Sequence, residues 1–126
     1  LMGRALTRAE LRSAGRLIVS ALTAEDFSAA GGDDTEGIVE VMREVRGVEV
    51  AGLVREAGPD GTHRVSLRSS DGTVDVSAIA RLEGGGGHKA AAGFSTAMRP
   101  DELLDWITDH VTRRLDAPDD RAARGG

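Results

Sequence analysis

The chain has 126 residues, an apolar share of 40% and a formal net charge of −5, values that fit one globular domain with an acidic surface. Net acidity argues against a bulk nucleic-acid binder, whose surface is usually basic, but it permits a local anion site because salt screens charges beyond about 10 Å. The sequence has no cysteine, which excludes disulfides and thiol chemistry, and its three aromatic residues require a largely aliphatic core.

The N-terminal region shows a helical pattern. Thr7 and Glu10 have the spacing of a capping box, and apolar residues then recur at helical intervals, so we predict a helix over 8–22. Residues 24–36 are predicted to form a linker or loop. No segment approaches the 20 apolar residues or so of a membrane span, and the first residues lack a signal-peptide pattern, so we expect a cytoplasmic protein.

The middle of the chain has the composition of β-structure. The β-branched runs 38–42 and 48–54 predict strands, and 58–61 is a glycine-proline turn. Residues 63–70 alternate between apolar and polar, which predicts a strand with one buried face.

The last third predicts a short helix begun by Asp75 or Ser77, a strand over 92–98 and a helix from Pro100 to Leu115. The fold class is therefore α/β: a small mixed sheet of three to five strands flanked by helices, with an N-terminal helix and a disordered tail. The expected organisation is a helix and linker over 1–32, a nucleotide-binding domain over 33–116, and the tail over 117–126.

Four consecutive glycines followed by a histidine and the chain's single lysine form the most distinctive motif. Bare glycine amides can contact an anion directly, and the motif is neither a P-loop nor a dinucleotide fingerprint because neither spacing fits. A flexible linker is the alternative interpretation. We predict a nest of backbone amides that opens onto a helix N-terminus. Its members are Gly84, Gly85, Gly86, Gly87, His88 and Lys89.

A second candidate group lies on the strands that precede the glycines. Arg68 shares its predicted strand face with Ser66 and Ser70, and a guanidinium can bind phosphate with two parallel hydrogen bonds. Arg55, at the end of the preceding strand, is a further candidate. The alternative is that both arginines are solvated surface residues.

The sequence shows no complete catalytic constellation and no metal motif. Asp33, Asp34 and Glu36 are better explained as a polar loop than as a metal cluster, and His63 has no assigned role. We therefore predict no catalytic residue and no metal ligand in this chain.

Several segments together resemble one family, the C-terminal DHH-associated domain of the DHH phosphoesterases, and are most similar to its NrnA-like branch of oligoribonucleases and pAp phosphatases. The resemblance covers about residues 33 to 115. Its most specific part is Gly-Gly-Gly-His-Lys-x-Ala-Ala-Gly downstream of Ser-Leu-Arg-Ser. The segments are 34–39, 47–51, 55–56, 65–69, 74–76 and 84–94.

The resemblance implies a two-domain enzyme in which another domain holds two Mn²⁺ ions and hydrolyses a phosphodiester or a 3′-phosphomonoester. The domain encoded by this sequence would bind the substrate through the glycine motif and Arg68. Short single-stranded RNA or a nucleotide 3′,5′-bisphosphate is the implied partner, together with the DHH catalytic domain. Since that metal-binding half is absent from this sequence, we expect the chain alone to be inactive, with no cofactor of its own.

Two other functions are open at this stage. A related module of a RecJ-like exonuclease or an alanyl-tRNA synthetase would bind longer single strands or tRNA. A structural or assembly domain would use the glycines as an inert connection. We expect no membrane partner, and a homodimer is one arrangement left open.

Overall fold

The computed structural model describes residues 2–23, 26, 35–56, 60–70 and 73–116. Within them, a mixed sheet of six strands is flanked by four helices. The helices are α1 (Met2–Arg8), α2 (Thr35–Arg43), α3 (Val76–Arg81) and α4 (Pro100–Asp116). The strands are β1 (Glu10–Arg12), β2 (Leu17–Leu22), β3 (Val50–Glu56), β4 (His63–Ser69), β5 (Gly86–His88) and β6 (Ala91–Thr96).

The strand order across the sheet is β1-β2-β3-β4-β6-β5. β2 and β3 are parallel, and the chain between them passes through α2; every other neighbouring pair is antiparallel. The predicted α/β class is confirmed. The sheet has more strands than the three to five expected because β1 and β5, of three residues each, are too short to give a periodic pattern.

The two faces of the sheet are covered differently. On one face, which we call the α4 face, α3 and α4 bury apolar residues from β2, β3, β4 and β6. On the other, the α2 face, α1 and α2 bury Ile18 and Leu22 of β2 and Ala51 and Leu53 of β3. The α2 face of β4, β5 and β6 carries polar and small residues instead. Beyond α2, which also packs against β4, no described helix covers this part of the face; we call it the uncovered half, and the candidate site lies there.

The predicted helix over 8–22 is wrong. Ser13, Ala14 and Gly15 have φ angles of 55°, 58° and 84°, and this left-handed turn joins β1 to β2 in an antiparallel hairpin. β2 is buried along nearly its whole length because helices cover both of its faces. Such a strand shows a continuous apolar run without alternation, which periodicity alone does not distinguish from a helix. Thr7 lies inside α1 and donates to the carbonyl of Gly3 (2.7 Å).

The predicted strand over 38–42 is also wrong, since these residues belong to α2. Ile38, Val39 and Met42 are buried against the α2 face of the sheet, at positions that coincide with one side of a helix. Burial of that side outweighs the β-propensity of the branched residues.

The other predicted elements within the described ranges are confirmed, as β3, β4, α3, β6 and α4. At the turn after β3, Asp60 accepts from the amide and hydroxyl of Thr62, and Gly61 has a φ of 84°. The predicted tail, most of the predicted loop over 24–36 and the turn residues 58, 59, 71 and 72 lie outside the described residues. None of the helices in the described ranges has the length and apolarity needed to cross a membrane.

Asp75 is the N-cap of α3, one of the two alternatives that the sequence offered. Its carboxylate accepts from the amides of Ser77 (3.0 Å) and Ala78 (3.3 Å) and from the Ser77 hydroxyl (2.5 Å). The hydrogen bond from the Ser77 hydroxyl has the largest effect on the pKa of Asp75, and together these hydrogen bonds hold that pKa below its usual value.

Asp75→Ala is expected to lower the free energy of unfolding by about 1 kcal/mol at neutral pH. Because the folded-state pKa is depressed, this stabilisation is complete above the unfolded pKa of about 3.9 and is lost as the pH falls through the folded value. Urea unfolding of both proteins between pH 3 and pH 7 measures the difference. A difference that does not shrink at the acid end would contradict the capping role of the ionised carboxylate.

Candidate functional site

The uncovered half of the α2 face contains a concave pocket of about 280 Å³. One wall is β4, whose alternating side chains Arg64, Ser66 and Arg68 all lie on this face, while Val65 and Leu67 are buried in the core. The opposite wall and floor consist of residues with no side chain beyond Cβ. These are Gly86, Gly87, Ala91, Ala92 and Gly93.

The register of the sheet brings the two walls together. Gly93 of β6 is opposite Ser66, and Ala91 is opposite Arg68. A Cβ on Gly93 would lie 3.0 Å from Nη2 of Arg64, so the Arg64 guanidinium lies directly over this glycine. The Nη1 atom of Arg64 donates to the Ser95 hydroxyl at 3.4 Å, a long hydrogen bond that leaves the group largely available to a ligand.

Arg68 is held in place from two sides. Its Nε donates to Oε1 of Glu40 on α2 (3.2 Å), and its Nη1 donates to the carbonyl of Leu67 (2.9 Å). The side chain is 14% exposed, so its orientation is set before any ligand binds. Pre-orientation of a guanidinium reduces the entropy lost when it binds an anion.

Glu40 also accepts from Arg43, at 3.1 Å from Nε and 2.8 Å from Nη2. The hydrogen bond from Arg43 is the main cause that lowers the pKa of Glu40, and the charge of Arg68 acts in the same direction, against the opposing effect of burial. Glu40 is therefore an ionised carboxylate at neutral pH. Its charge partly compensates the charge of Arg68.

The predicted nest that opens onto a helix N-terminus is not what the structure contains. Residues 86–88 form β5, which pairs with β6 through a tight turn at Lys89 and Ala90. The glycines serve this hairpin: a Cβ on Gly85 would lie 2.2 Å from the Gly93 carbonyl oxygen, and one on Gly87 would lie 2.6 Å from that of Ala91. The motif therefore continues into a strand, because small residues allow close pairing with β6.

The other predicted site residues are distributed around the pocket. Gly84, with a φ of 78°, follows α3, and the carbonyl of Lys89 accepts from the amide of Val76 at the start of α3. His88 is exposed and shares the α2 face with Ala91 and hence with Arg68. Arg55 is half-buried and shares that face with Arg64, its partner in the register. The pocket lining includes Ser66, Arg68, Gly86 and Gly87 from the predicted set, but not Gly84, Gly85, His88, Lys89 or Arg55.

The DHHA1 domain model matches residues 15–115, which is most of the chain and includes every described element except α1 and β1. The chain belongs to the DHHA1 domain family.

Solved structures share the fold of this DHHA1 domain. An exopolyphosphatase-related protein from Bacteroides fragilis is 21% identical with a TM-score of 0.77, over 92% of this chain and 35% of that one. The pGpG-specific phosphodiesterase PggH from Vibrio cholerae is 13% identical with a TM-score of 0.62, over 91% and 37%. The C-Ala domain of alanyl-tRNA synthetase from Aquifex aeolicus is 14% identical with a TM-score of 0.56, over 80% and 91%. This chain thus spans little more than a third of the length of the first two proteins.

Two residues of the candidate site were not among the predicted site residues. The alternation over 63–70 predicted that Arg64 shares the strand face of Ser66 and Arg68, but Arg64 was not named as a candidate. Glu40 had no such signal, because the segment around it was predicted to be a strand. His63, which had no assigned role, is buried on the α4 face, and no described residue forms a hydrogen bond to its Nδ1.

Among the described residues, no three acidic or histidine side chains lie close enough together to hold a metal ion. The pocket instead presents cationic and hydrogen-bonding groups, namely two guanidinium groups, one hydroxyl and a glycine-lined surface. This donor set suits an anion with several oxygen acceptors.

Two glycine substitutions test the assignment of close-packed and open positions in the hairpin. Gly85→Ala is expected to lower the free energy of unfolding by about 2–3 kcal/mol, since its Cβ collides with main-chain atoms of Gly93 and Phe94. Gly86→Ala is expected to change it by less than about 0.5 kcal/mol, because a Cβ there meets nothing within 4 Å. Thermal and urea unfolding measure both, and equal costs at the two positions would contradict this packing.

Proposed function

We propose that this DHHA1 domain holds the phosphates of a nucleotide or a short single-stranded oligoribonucleotide for an NrnA-like DHH phosphoesterase. The observation that carries the proposal is the convergence of Arg64, Ser66 and Arg68 on a pocket whose facing wall has no side chain beyond Cβ. A guanidinium binds phosphate oxygens through parallel hydrogen bonds, and the bare wall lets a backbone of sugar and phosphate approach closely.

The position of the aromatic residues supports binding led by phosphate rather than by base stacking. Phe94 is fully buried on the α4 face and packs edge-on against Trp106, with ring centroids 5.5 Å apart. Trp106 in turn contacts His110, at 4.3 Å between ring centroids. These rings lie on the side of the sheet opposite the pocket, so no phenylalanine or tryptophan of the described residues offers a stacking surface for bases there. We therefore expect weak sequence preference.

The chemistry itself belongs, in this proposal, to the DHH catalytic domain of the full enzyme. That domain would supply two Mn²⁺ ions and an activated water, and the domain described here would fix the substrate so that the scissile bond meets them. The fact that similar proteins are much longer than this chain supports such a division of roles. The chain alone is then a binding domain without hydrolytic activity.

Arg68→Gln is expected to weaken the binding of a fluorescently labelled diribonucleotide about 10- to 100-fold, because a hydrogen bond to a charged group contributes about 1.5–3 kcal/mol. Arg113→Gln is the matched control, since Arg113 is 69% exposed and lies on α4, which covers the opposite face of the sheet; this variant should bind as the wild type does. Fluorescence anisotropy measures all three proteins. Equal affinity of Arg68→Gln and wild type would refute the site.

The salt dependence of binding tests the electrostatic origin of the affinity. Two phosphate contacts on a single strand predict a slope of about −1.4 for log K against log salt concentration, and Arg68→Gln should reduce its magnitude by about 0.7. Titrations between 50 and 300 mM salt measure the slope. A slope near zero, or one that the substitution leaves unchanged, would be inconsistent with phosphate contacts by Arg68.

The similarity to the C-Ala domain across 91% of its length favours a second candidate, a DHHA1 module that binds tRNA or longer strands. Length dependence separates the two functions. A pocket of about 280 Å³ should reach full affinity with two to four nucleotides, whereas a strand-tracking surface would continue to gain affinity with longer oligonucleotides. Oligomerisation without any nucleotide binding would instead indicate an assembly domain.

A further inference from the structure

The two arginines of the pocket are in different electrostatic surroundings. Arg68 forms an ion pair with Glu40, which is 45% exposed and faces the same uncovered half of the sheet. Arg64 is exposed, and no carboxylate of the described residues forms an ion pair with it. Because Glu40 is shared with Arg43, the pocket has one partly compensated cation, Arg68, and one cation without a described carboxylate partner, Arg64, four residues apart on β4.

The Cα atoms of Arg64 and Arg68 are about 13 Å apart on an extended strand, and the Arg64 guanidinium lies over Gly93 of β6, the residue opposite Ser66. Arg68 is held instead by Glu40 on α2, so the two guanidinium groups border the pocket on different sides, which we call the Arg64 end and the Arg68 end. A ligand with two phosphate groups can occupy both ends at once.

The phosphates of a nucleotide carry different charges. An internal phosphodiester carries one negative charge, whereas a terminal phosphomonoester carries close to two at pH 7 because its second pKa is about 6. A carboxylate near the binding group repels the second charge and so disfavours the dianion relative to the monoanion.

We propose that Glu40 is a specificity-determining residue of the pocket. It reduces the net positive charge at Arg68 so that this end favours a singly charged phosphodiester, and it leaves the doubly charged terminal phosphate to Arg64. The assignment rests on the proposed phosphate-binding function and adds to it the charge class that each end selects. The charged groups that contact Glu40 within the described residues are Arg43 on α2 and Arg68 on β4.

The test uses Glu40→Gln, since a glutamine oxygen can still accept from Arg68 while the charge is lost. Arg64→Gln is added as a background so that binding reports the Arg68 end. Two probes are titrated by calorimetry against each protein: a dinucleoside monophosphate, which has only a diester, and a nucleoside 5′-monophosphate, which has only a monoester. Glu44→Gln, the same change at an exposed position in the turn that follows α2, is the matched control.

At pH 7.5, Glu40→Gln is expected to raise the ratio of monoester affinity to diester affinity about three- to tenfold, and Glu44→Gln should leave the ratio unchanged. At pH 5 the monoester is itself singly charged, so the effect of Glu40→Gln on the ratio should disappear. Because the readout is a ratio of two affinities on one preparation, a fraction of unfolded protein cancels.

The possible failures are distinct. If neither probe binds the wild type, the proposed phosphate-binding function is wrong. If both bind and Glu40→Gln changes both affinities by the same factor, or the ratio shifts equally at both pH values, the function stands and the charge selection by Glu40 is refuted.

Discussion

The pleat of β4 positions both the apolar core and the candidate site. Successive side chains of this strand point to opposite faces, so Val65 and Leu67 enter the core beneath α4 while Arg64, Ser66 and Arg68 stay on the α2 face. A shift of one residue would bury two arginines and expose the apolar core. The same register that stabilises the sheet therefore fixes the candidate site, and the site cannot be displaced without the loss of the fold.

The acidic net charge of the chain and its cationic pocket are compatible because each acts over a different range. A protein with a net charge of −5 repels an anion at long range, and screening by salt limits the reach of that repulsion. Within the pocket, hydrogen bonds and ion pairs at contact distance dominate, and the charge of Glu40 partly offsets the charge of Arg68. An arrangement of this kind favours small ligands with few phosphates over long polyanions, which would also meet the acidic surface outside the pocket.

The sequence predicted the parts of the fold where local pattern and tertiary burial agree. β4 alternates because one of its faces is buried and the other is open, and α4 begins at a proline with a stripe of apolar residues. The sequence-based prediction failed for β2, because burial on both faces removes the alternation of apolar and polar residues. It also failed for α2, because this helix contains β-branched residues that favour a strand. The same distinction applies to the pocket. Local motifs predicted four of its lining residues, Ser66, Arg68, Gly86 and Gly87. Glu40 was not predicted, because the crossover helix α2 brings it to Arg68 only in the folded structure.

If an anion binds on the uncovered half of the α2 face, between β4 and the glycine-lined hairpin, an NMR titration of the isotopically labelled chain with a 5′-phosphorylated diribonucleotide will detect it. We expect the amide signals of Gly86, Gly87 and Gly93 and the side-chain Nε signal of Arg68 to shift and to saturate together. Saturable shifts confined to α4 and the opposite face, with these signals unchanged, would contradict it.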